Sequence, residues 1–143
     1  MQETDYEISL DPARIDVEAA HAYIANSYWA QGMPIEVLRK AIANSLCVAA
    51  FHRGAQVGFA RVVTDRATFA YLADVYVLEA HRGRGLSRRL VAALLEHPDL
   101  QGLRRLMLVT RDAHGLYEKF GFTALAHPDR VMELHRPNVY ANG

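Results

Sequence analysis

Short apolar runs separated by turn-forming residues predict three consecutive antiparallel strands in the middle of the chain. Residues 46–51 and 56–63 favour β structure and flank a turn signal at 53–56, which together predict a hairpin. Residues 68–78 give a longer strand signal. Near the start of the chain, residues 6–10 alternate apolar and polar positions, as a further strand would.

Apolar residues at helical spacing predict four helices. Asp16 is a suitable cap for the first helix, and Pro34 suits the first turn of the second. A third helix is predicted from about residue 84 to 97. A short fourth helix covers 114–120 and is stopped by Gly121, which fits a glycine just beyond a helix end.

The late part of the chain alternates helices and strands, with strands predicted at 105–110, 122–125 and 131–134. Such alternation implies at least one parallel crossover in the sheet. We therefore predict one α/β domain over residues 1–143. Its single central sheet is expected to be mixed, mostly antiparallel, of six or seven strands, and flanked by about four helices.

Charge and composition narrow the function classes. Sixteen basic and sixteen acidic residues cancel, which argues against a general nucleic-acid binder or a membrane-surface protein. The single cysteine, Cys47, cannot form an internal disulfide and is expected to be a small core residue. No long apolar segment or signal peptide is recognisable, so a soluble cytoplasmic protein is expected. The seven histidines lack metal-ligand spacing, so no metal site is predicted.

The stretch HRGRGLSRRL, residues 81–90, is the strongest chemical signal. It follows an apolar strand and opens an amphipathic helix, whose first amides lack partners within the helix and attract anions, most often phosphate. Gly83 and Gly85 allow a ligand to approach the main chain closely. Arg82 and Arg84 add positive charge. These residues predict a diphosphate cradle at the carboxyl end of a strand.

Two familiar phosphate loops fit this stretch poorly. A P-loop would need Lys and Ser or Thr after its last glycine, but Gly85 is followed by Leu86 and Ser87. A dinucleotide-binding turn would need a third glycine where Arg88 stands.

Two motifs resemble those of the GNAT acyltransferases, which use acetyl-CoA. Residues 82–87, RGRGLS, resemble the signature Gln/Arg-x-x-Gly-x-Gly/Ala, and residues 116–122, LYEKFGF, are similar to the late motif LYEKxGF. The order of elements also matches, so the resemblance covers nearly the whole chain. Two positions depart from the pattern. Ser87 replaces glycine or alanine in the signature, and Thr110 stands where the family often has an asparagine near the cofactor.

The resemblance implies an N-acetyltransferase that moves an acetyl group from acetyl-CoA to a primary amine by direct attack. The signature loop would hold the CoA pyrophosphate, and the end of the preceding strand would pair with the pantetheine arm through its main chain. The implied cofactor-binding residues are Val75, Tyr76, Val77, Arg82, Gly83, Arg84, Gly85, Leu86 and Ser87. Tyr117 of the late motif would protonate the departing thiolate.

The general base and the acceptor site are less determined. Asp74 interrupts an apolar strand and is a candidate base, with Glu79 a weaker one and a water chain a third option. Tyr28 and Trp29, between the first two helices, are predicted to shape the substrate pocket, although anchoring of the first helix explains them equally well. Tyr71 is also assigned to the acceptor side. Strand alternation predicts that its side chain lies on the other face of the strand from Asp74, and on the same face as residues 75 and 77.

Other functions remain open at this point. A non-catalytic module that binds CoA and has a regulatory or structural function would have the same signature. A nucleic-acid-binding protein is disfavoured by the zero net charge and the lack of interleaved aromatic residues. The expected partners are a small-molecule or peptide amine, with no nucleic acid and no membrane. Many GNAT relatives form dimers, so a homodimer is compatible with the resemblance.

Overall fold

The computed structural model describes residues 5–141, which divide after Val109 into two compact units, and a five-stranded sheet forms the centre of the first unit. The sheet order follows the chain, and the strands are β1 (Tyr6–Ser9), β2 (Leu46–His52), β3 (Ala55–Thr64), β4 (Phe69–Val77) and β5 (Arg105–Leu108). The first four strands are antiparallel neighbours, and β5 runs parallel to β4. The expected mixed, mostly antiparallel sheet is therefore present.

The first unit also contains three helices: α1 (Val17–Ile24), α2 (Ile35–Ala43) and α3 (Leu86–Leu95). Asp16 caps α1 as predicted, since its carboxylate accepts a 3.0 Å hydrogen bond from the amide of Ala19. The helices begin within about two residues of the predicted positions. Helix α1 ends earlier than predicted, because residues 25–29 of its pattern lie in the turns that follow. No helix within residues 5–141 is long and apolar enough to cross a membrane.

The prediction of six or seven strands is wrong. Within residues 5–141 the segments 122–125 and 131–134 form no strand, and the second presents Met132 and Leu134 to solvent. A four-residue apolar run is too short for its periodicity to separate a strand from a loop. It becomes a strand only where a neighbouring backbone completes its hydrogen bonds.

Helix α3 covers one face of the sheet with a fully buried row of apolar side chains. Leu90, Val91 and Leu94 have no exposed surface. Gly58 on β3 allows this close packing, because a Cβ there would lie 3.2 Å from the Leu90 side chain and 3.3 Å from the Ala50 Cβ.

The predicted core position of Cys47 is confirmed. The residue is buried on β2, and burial raises the pKa of its thiol to about 11. The thiol is therefore protonated, and unreactive, at physiological pH.

Strand β4 contains a bulge at Asp74. Phe59 pairs with Tyr76 and Arg61 pairs with Ala73, so β4 holds one residue more than β3 between these two pairs. Asp74 has a φ of 56°, in the left-handed region that aspartate enters more readily than most residues. The bulge bends the strand where the candidate site begins.

The bulge also changes which residues of β4 share a face. Tyr71 pairs with Val63 of β3, and Val77 pairs with Gly58. Between these two positions the side chains of β3 alternate regularly between the faces of the sheet, so that residues 58 and 63 lie on opposite faces. Tyr71 and Val77 therefore lie on opposite faces of the sheet. The expectation that strict alternation holds from residue 71 to 77 is wrong, because the extra residue shifts the alternation by one.

The second unit contains the short helix α4 (His114–Glu118). Before the helix, the hydroxyl of Thr110 accepts a 3.0 Å hydrogen bond from the amide of Ala113. After it, Gly121 takes a φ of 95° and donates its amide to the carbonyl of Glu118. The helix ends two residues earlier than predicted, at Glu118 with Lys119 as its cap, so Gly121 lies in the turn that follows the helix and not directly at its end. Few residues other than glycine adopt its conformation easily.

Candidate cofactor and acceptor site

The parallel strands β4 and β5 are paired over only part of their length. Their register runs from Phe69 opposite Arg105 to Leu72 opposite Leu108, where β5 ends. Beyond Leu72, and within residues 5–141, β4 has a strand partner only on its β3 side. The residues predicted to meet the pantetheine arm, 75–77, lie on this unpaired stretch. An unpaired edge can accept an extended ligand as an added strand.

The signature loop begins where this edge ends. A single turn of 3-10 helix, Glu79–His81, leads into an exposed loop that opens α3. Gly83 and Gly85 have φ values of 79° and 74°, and a Cβ built on either would have no atom within 4 Å. Gly85 is the cap residue of α3, and within residues 5–141 no side chain forms a capping hydrogen bond at this helix start. The first amides of α3 are thus available to an anion.

Arg82 ties this loop to the rest of the first unit. Its Nε donates a 2.9 Å hydrogen bond to the carbonyl of Val77, and its Nη2 donates a 3.0 Å bond to the hydroxyl of Tyr23 on α1. The side chain of Arg84 is exposed. Arg82 therefore holds the loop in place, whereas Arg84 has its guanidinium in solvent beside the glycines.

A cluster of aromatic and histidine rings lies beside the loop. His81 Nδ1 is 2.8 Å from the hydroxyl of Tyr6, and the rings of His81 and His52 are 5.0 Å apart. Burial lowers the pKa of His81, and the nearby His52 and Arg84 act in the same direction. The buried Nε2 of His52 has no partner within residues 5–141. The sequence pattern does not indicate that these rings meet, because residues 6, 52 and 81 are far apart along the chain.

At the bulge, the structure brings together Trp29 and Asp74, two of the site residues predicted from the sequence. The indole N–H of Trp29 donates a 2.7 Å hydrogen bond to Oδ1 of Asp74. Oδ2 of the same carboxylate accepts a 2.5 Å hydrogen bond from Nε of Arg61. The side chains of this ion pair are only 4% (Asp74) and 14% (Arg61) exposed. Arg61 was missed by sequence analysis, although a charged residue within the apolar strand QVGFARVV was a usable signal.

Aromatic rings surround this ion pair. Tyr28 and Trp29 meet edge to face at 5.1 Å, and their residues are 54% and 42% exposed. Tyr23 stacks on Tyr76 at 4.2 Å with its plane tilted by only 7°. Tyr71 is half-buried on the strand face that also carries Arg61. The predicted acceptor-side residues of the first unit therefore share one face of the sheet, opposite α3.

Comparisons with known proteins decide the family. The sequence model of the acetyltransferase (GNAT) family matches residues 13–122. The chain belongs to the GNAT acetyltransferase family. A Gibberella zeae protein provisionally assigned as an acetyltransferase is 35% identical over 138 residues, covering 80% of this chain and 77% of its own.

A solved structure supports the same GNAT assignment. A provisionally assigned GNAT acetyltransferase from Xanthomonas campestris pv. campestris is 47% identical, with a TM-score of 0.92 and coverage of 95% of this chain and 96% of its own. A provisionally assigned acetyltransferase from Clostridium acetobutylicum, solved with acetyl-CoA, shares the fold at 16% identity. Its TM-score is 0.66, with coverage of 91% of this chain and 94% of its own. The GNAT resemblance found in the two motifs is confirmed, and acyl transfer is the chemistry of this family.

The late GNAT motif lies in the second unit. Tyr117 on α4 is buried, and its ring meets the ring of Phe122 edge to face at 6.1 Å. The carbonyl of Tyr117 accepts a hydrogen bond from the amide of Phe122. Thr110, in place of the frequent GNAT asparagine, accepts a hydrogen bond on its hydroxyl from the Ala113 amide at the start of this helix.

Within the described part of the chain, no group of three or more potential metal ligands is close enough to hold an ion.

Proposed function

We propose that this GNAT protein is an acetyl-CoA-dependent N-acetyltransferase that acts on a primary amine of a small molecule or peptide. One observation carries the proposal. The unpaired edge of β4 leads directly into an exposed loop whose two glycines open α3. An extended arm followed by a diphosphate is the ligand chemistry that fits an open strand edge next to the start of a helix.

The residues present fit acetyl-CoA. Residues 75–77 would pair with the pantetheine arm through main-chain groups, and the amides of 82–87 would hold the pyrophosphate. The space around the missing Cβ atoms of Gly83 and Gly85 leaves room for phosphate oxygens close to the backbone. The Clostridium acetobutylicum neighbour, solved with acetyl-CoA, supports this choice of co-substrate.

The reaction needs two proton transfers, and the chain offers a group for one of them. The amine nitrogen bonds to the acetyl carbon as the bond from that carbon to sulfur breaks. The nitrogen then loses a proton and the sulfur gains one. The phenol of Tyr117, the tyrosine of the GNAT late motif, would donate the proton that the thiolate requires.

The contacts of Asp74 bear on which group accepts the amine proton. Asp74, the sequence-derived candidate base, already accepts a hydrogen bond on each carboxylate oxygen. Protonating it would remove the negative charge that strengthens its bond to Arg61. The contacts of Asp74 therefore favour a positioning role, and a water chain is the better candidate for the base.

Calorimetric titration with acetyl-CoA, combined with thiol release over a panel of primary amines, tests the proposal. We expect saturable binding, and CoA release that depends on at least one amine. Absence of acetyl-CoA binding would reject the enzyme. Binding without release over a broad panel would instead favour a non-catalytic CoA-binding module.

A further inference from the structure

The buried ion pair next to the β4 bulge has a specific arrangement that the transfer chemistry above does not explain. We propose that Asp74 and Arg61 are positioning residues that hold the indole of Trp29 as a wall for an organic ammonium, the protonated form of the acceptor amine. The bound ammonium would first give one proton to water, and the resulting neutral amine would then attack the acetyl carbon as described above. The inference deepens the proposed function and rests on it for the identity of this face as the acceptor side.

Both oxygens of the Asp74 carboxylate accept a hydrogen bond. One oxygen takes the indole N–H of Trp29 at 2.7 Å and the other takes Nε of Arg61 at 2.5 Å. The pair is buried, and a buried carboxylate with two strong donors is an anchor for those donors. Asp74 also adopts a left-handed backbone conformation, a local strain that folded proteins keep mainly where the geometry is used.

Arg61 connects the Asp74 carboxylate to the end of a helix. Its Nη1 donates a 3.2 Å hydrogen bond to the hydroxyl of Ser45, which itself donates a 2.6 Å bond to the carbonyl of Ala41 on α2. Trp29 is thereby connected through two charged side chains to β3, β4 and the end of α2. A loop residue gains the rigidity of the sheet, which is what a binding wall requires.

The anchored Trp29 presents an exposed aromatic surface. The indole is held at its nitrogen, yet Trp29 remains 42% exposed and Tyr28 packs edge to face against it. Exposed faces of tryptophan and tyrosine attract ammonium groups through their ring quadrupoles. Since Arg61 neutralises Asp74, the ion pair offers no net negative charge. The aromatic faces are therefore the groups of this cluster that would attract a cation.

The chain contains one tryptophan, so intrinsic tryptophan fluorescence reports on Trp29 alone. The probe is 2-phenylethylamine, a primary ammonium at neutral pH, and 2-phenylethanol is its neutral counterpart. We expect the amine to change the emission saturably, and the alcohol to bind at least about tenfold more weakly. Equal effects of both probes, or no saturable effect of either, would overturn the ammonium assignment.

Asp74→Asn tests the positioning role. An amide cannot accept from both donors, because its NH₂ must face either Arg61 or the indole. We expect the Trp29 emission to shift to the red, the affinity for 2-phenylethylamine to fall about tenfold, and the affinity for acetyl-CoA to stay the same. Asp65→Asn is the matched control, since it neutralises another hydrogen-bonded carboxylate, in the β3–β4 turn, and should leave the emission unchanged. Unchanged emission and amine affinity in Asp74→Asn would overturn the role.

Trp29→Phe provides a second variant that does not depend on the buried pair. It keeps a ring in the exposed loop and removes the N–H. We expect a higher KM for the amine with kcat nearly unchanged, and little further rise in KM when Asp74→Asn is added, because both changes break the same contact. A different result would identify Asp74 as the base and contradict the positioning role. In that case Asp74→Asn would lower kcat strongly in both the wild type and Trp29→Phe, would leave KM unchanged, and would remove one limb of the pH profile of kcat.

The fluorescence and probe-binding measurements require no turnover. If the protein gives the expected fluorescence and amine-binding results but never binds acetyl-CoA, the N-acetyltransferase proposal is wrong and the positioning of Trp29 by Asp74 still holds. If the protein acetylates amines but its Trp29 emission does not depend on Asp74, the enzyme proposal holds and the positioning role is wrong.

Discussion

The two proposed sides of the candidate site offer different chemical groups. The proposed cofactor side offers main chain: the unpaired edge of β4 and the amides beside Gly83 and Gly85. The proposed acceptor side offers side chains: the indole of Trp29 and the Asp74–Arg61 pair behind it. A cofactor that many related proteins share can be held by groups that every residue carries. An acceptor that differs from one enzyme to the next must be selected by side chains.

The comparison predicts that side-chain substitutions on the proposed cofactor side have small effects. The largest effect is expected from Tyr117, the proposed proton donor in the late GNAT motif of the second unit. We expect Tyr117→Phe to lower kcat about 100-fold or more, because the variant keeps the buried ring and loses the hydroxyl that would donate the proton. The affinity for acetyl-CoA should stay the same by calorimetry. Tyr140→Phe, a tyrosine of the same unit outside the motif, is the matched control. An unchanged kcat in Tyr117→Phe would show that the thiolate receives its proton elsewhere.

The next largest effect is expected from one added methyl group in the loop. Gly85 and Gly102 have nearly equal φ values, 74° and 75°, and both have open space where a Cβ would lie. Alanine at either position should destabilise the fold by a similar amount, about 1 kcal/mol, because both are left-handed.

Only Gly85→Ala should also weaken acetyl-CoA binding, by about tenfold or more, since its methyl group would occupy the space assigned to phosphate oxygens. Thermal unfolding and calorimetry on both variants separate the two effects. Equal acetyl-CoA affinity in Gly85→Ala and Gly102→Ala would contradict the assignment of the loop.

A smaller effect is expected on the strand edge. Val75 is half-buried, and the proposed contact with pantetheine uses its backbone. We therefore expect Val75→Ala to change the dissociation constant of acetyl-CoA by less than about threefold, a difference below 1 kcal/mol. A loss of tenfold or more would show that the side chain contributes to binding and that the main-chain account of this edge is incomplete.

The smallest expected effect concerns pH and the histidine beside the loop. Burial lowers the pKa of His81, so near pH 6 the unfolded chain binds a proton more readily than the folded protein. This contribution to stability is complete above about pH 7 and is lost as the pH falls through the ordinary histidine range. Tm should therefore decline toward pH 5.5, less steeply in His81→Gln than in the wild type. His127→Gln, an exposed histidine of the second unit, should keep the wild-type slope. A His81→Gln slope equal to that of the wild type would remove His81 from the explanation.

The cofactor side could largely be predicted from sequence, because its determinants are local. Two glycines, a preceding apolar strand and a following amphipathic helix occur within about twenty consecutive residues. The gap between β4 and β5 could be anticipated only from the GNAT resemblance, since it depends on where a distant strand ends.

The acceptor side could be predicted only in part. Trp29 and Asp74 were identified separately from their unusual surroundings, but their hydrogen bond joins residues 45 positions apart. The bulge at Asp74 was missed because alternation was assumed to continue through the one polar residue that interrupts it. The two terminal strands were overpredicted because a four-residue apolar run does not contain the information that a strand partner supplies.

The central claim is that main-chain groups at residues 75–77 and 82–87 hold the co-substrate. Titration of ¹⁵N-labelled protein with acetyl-CoA, followed through the backbone amide resonances, tests it most directly. We predict saturable shifts that are largest at Gly83, Gly85 and the neighbouring amides, with further shifts along the end of β4. The exposed turn glycines Gly54 and Gly102 should not respond. Saturable binding that leaves the amides of 82–87 unmoved would contradict the account.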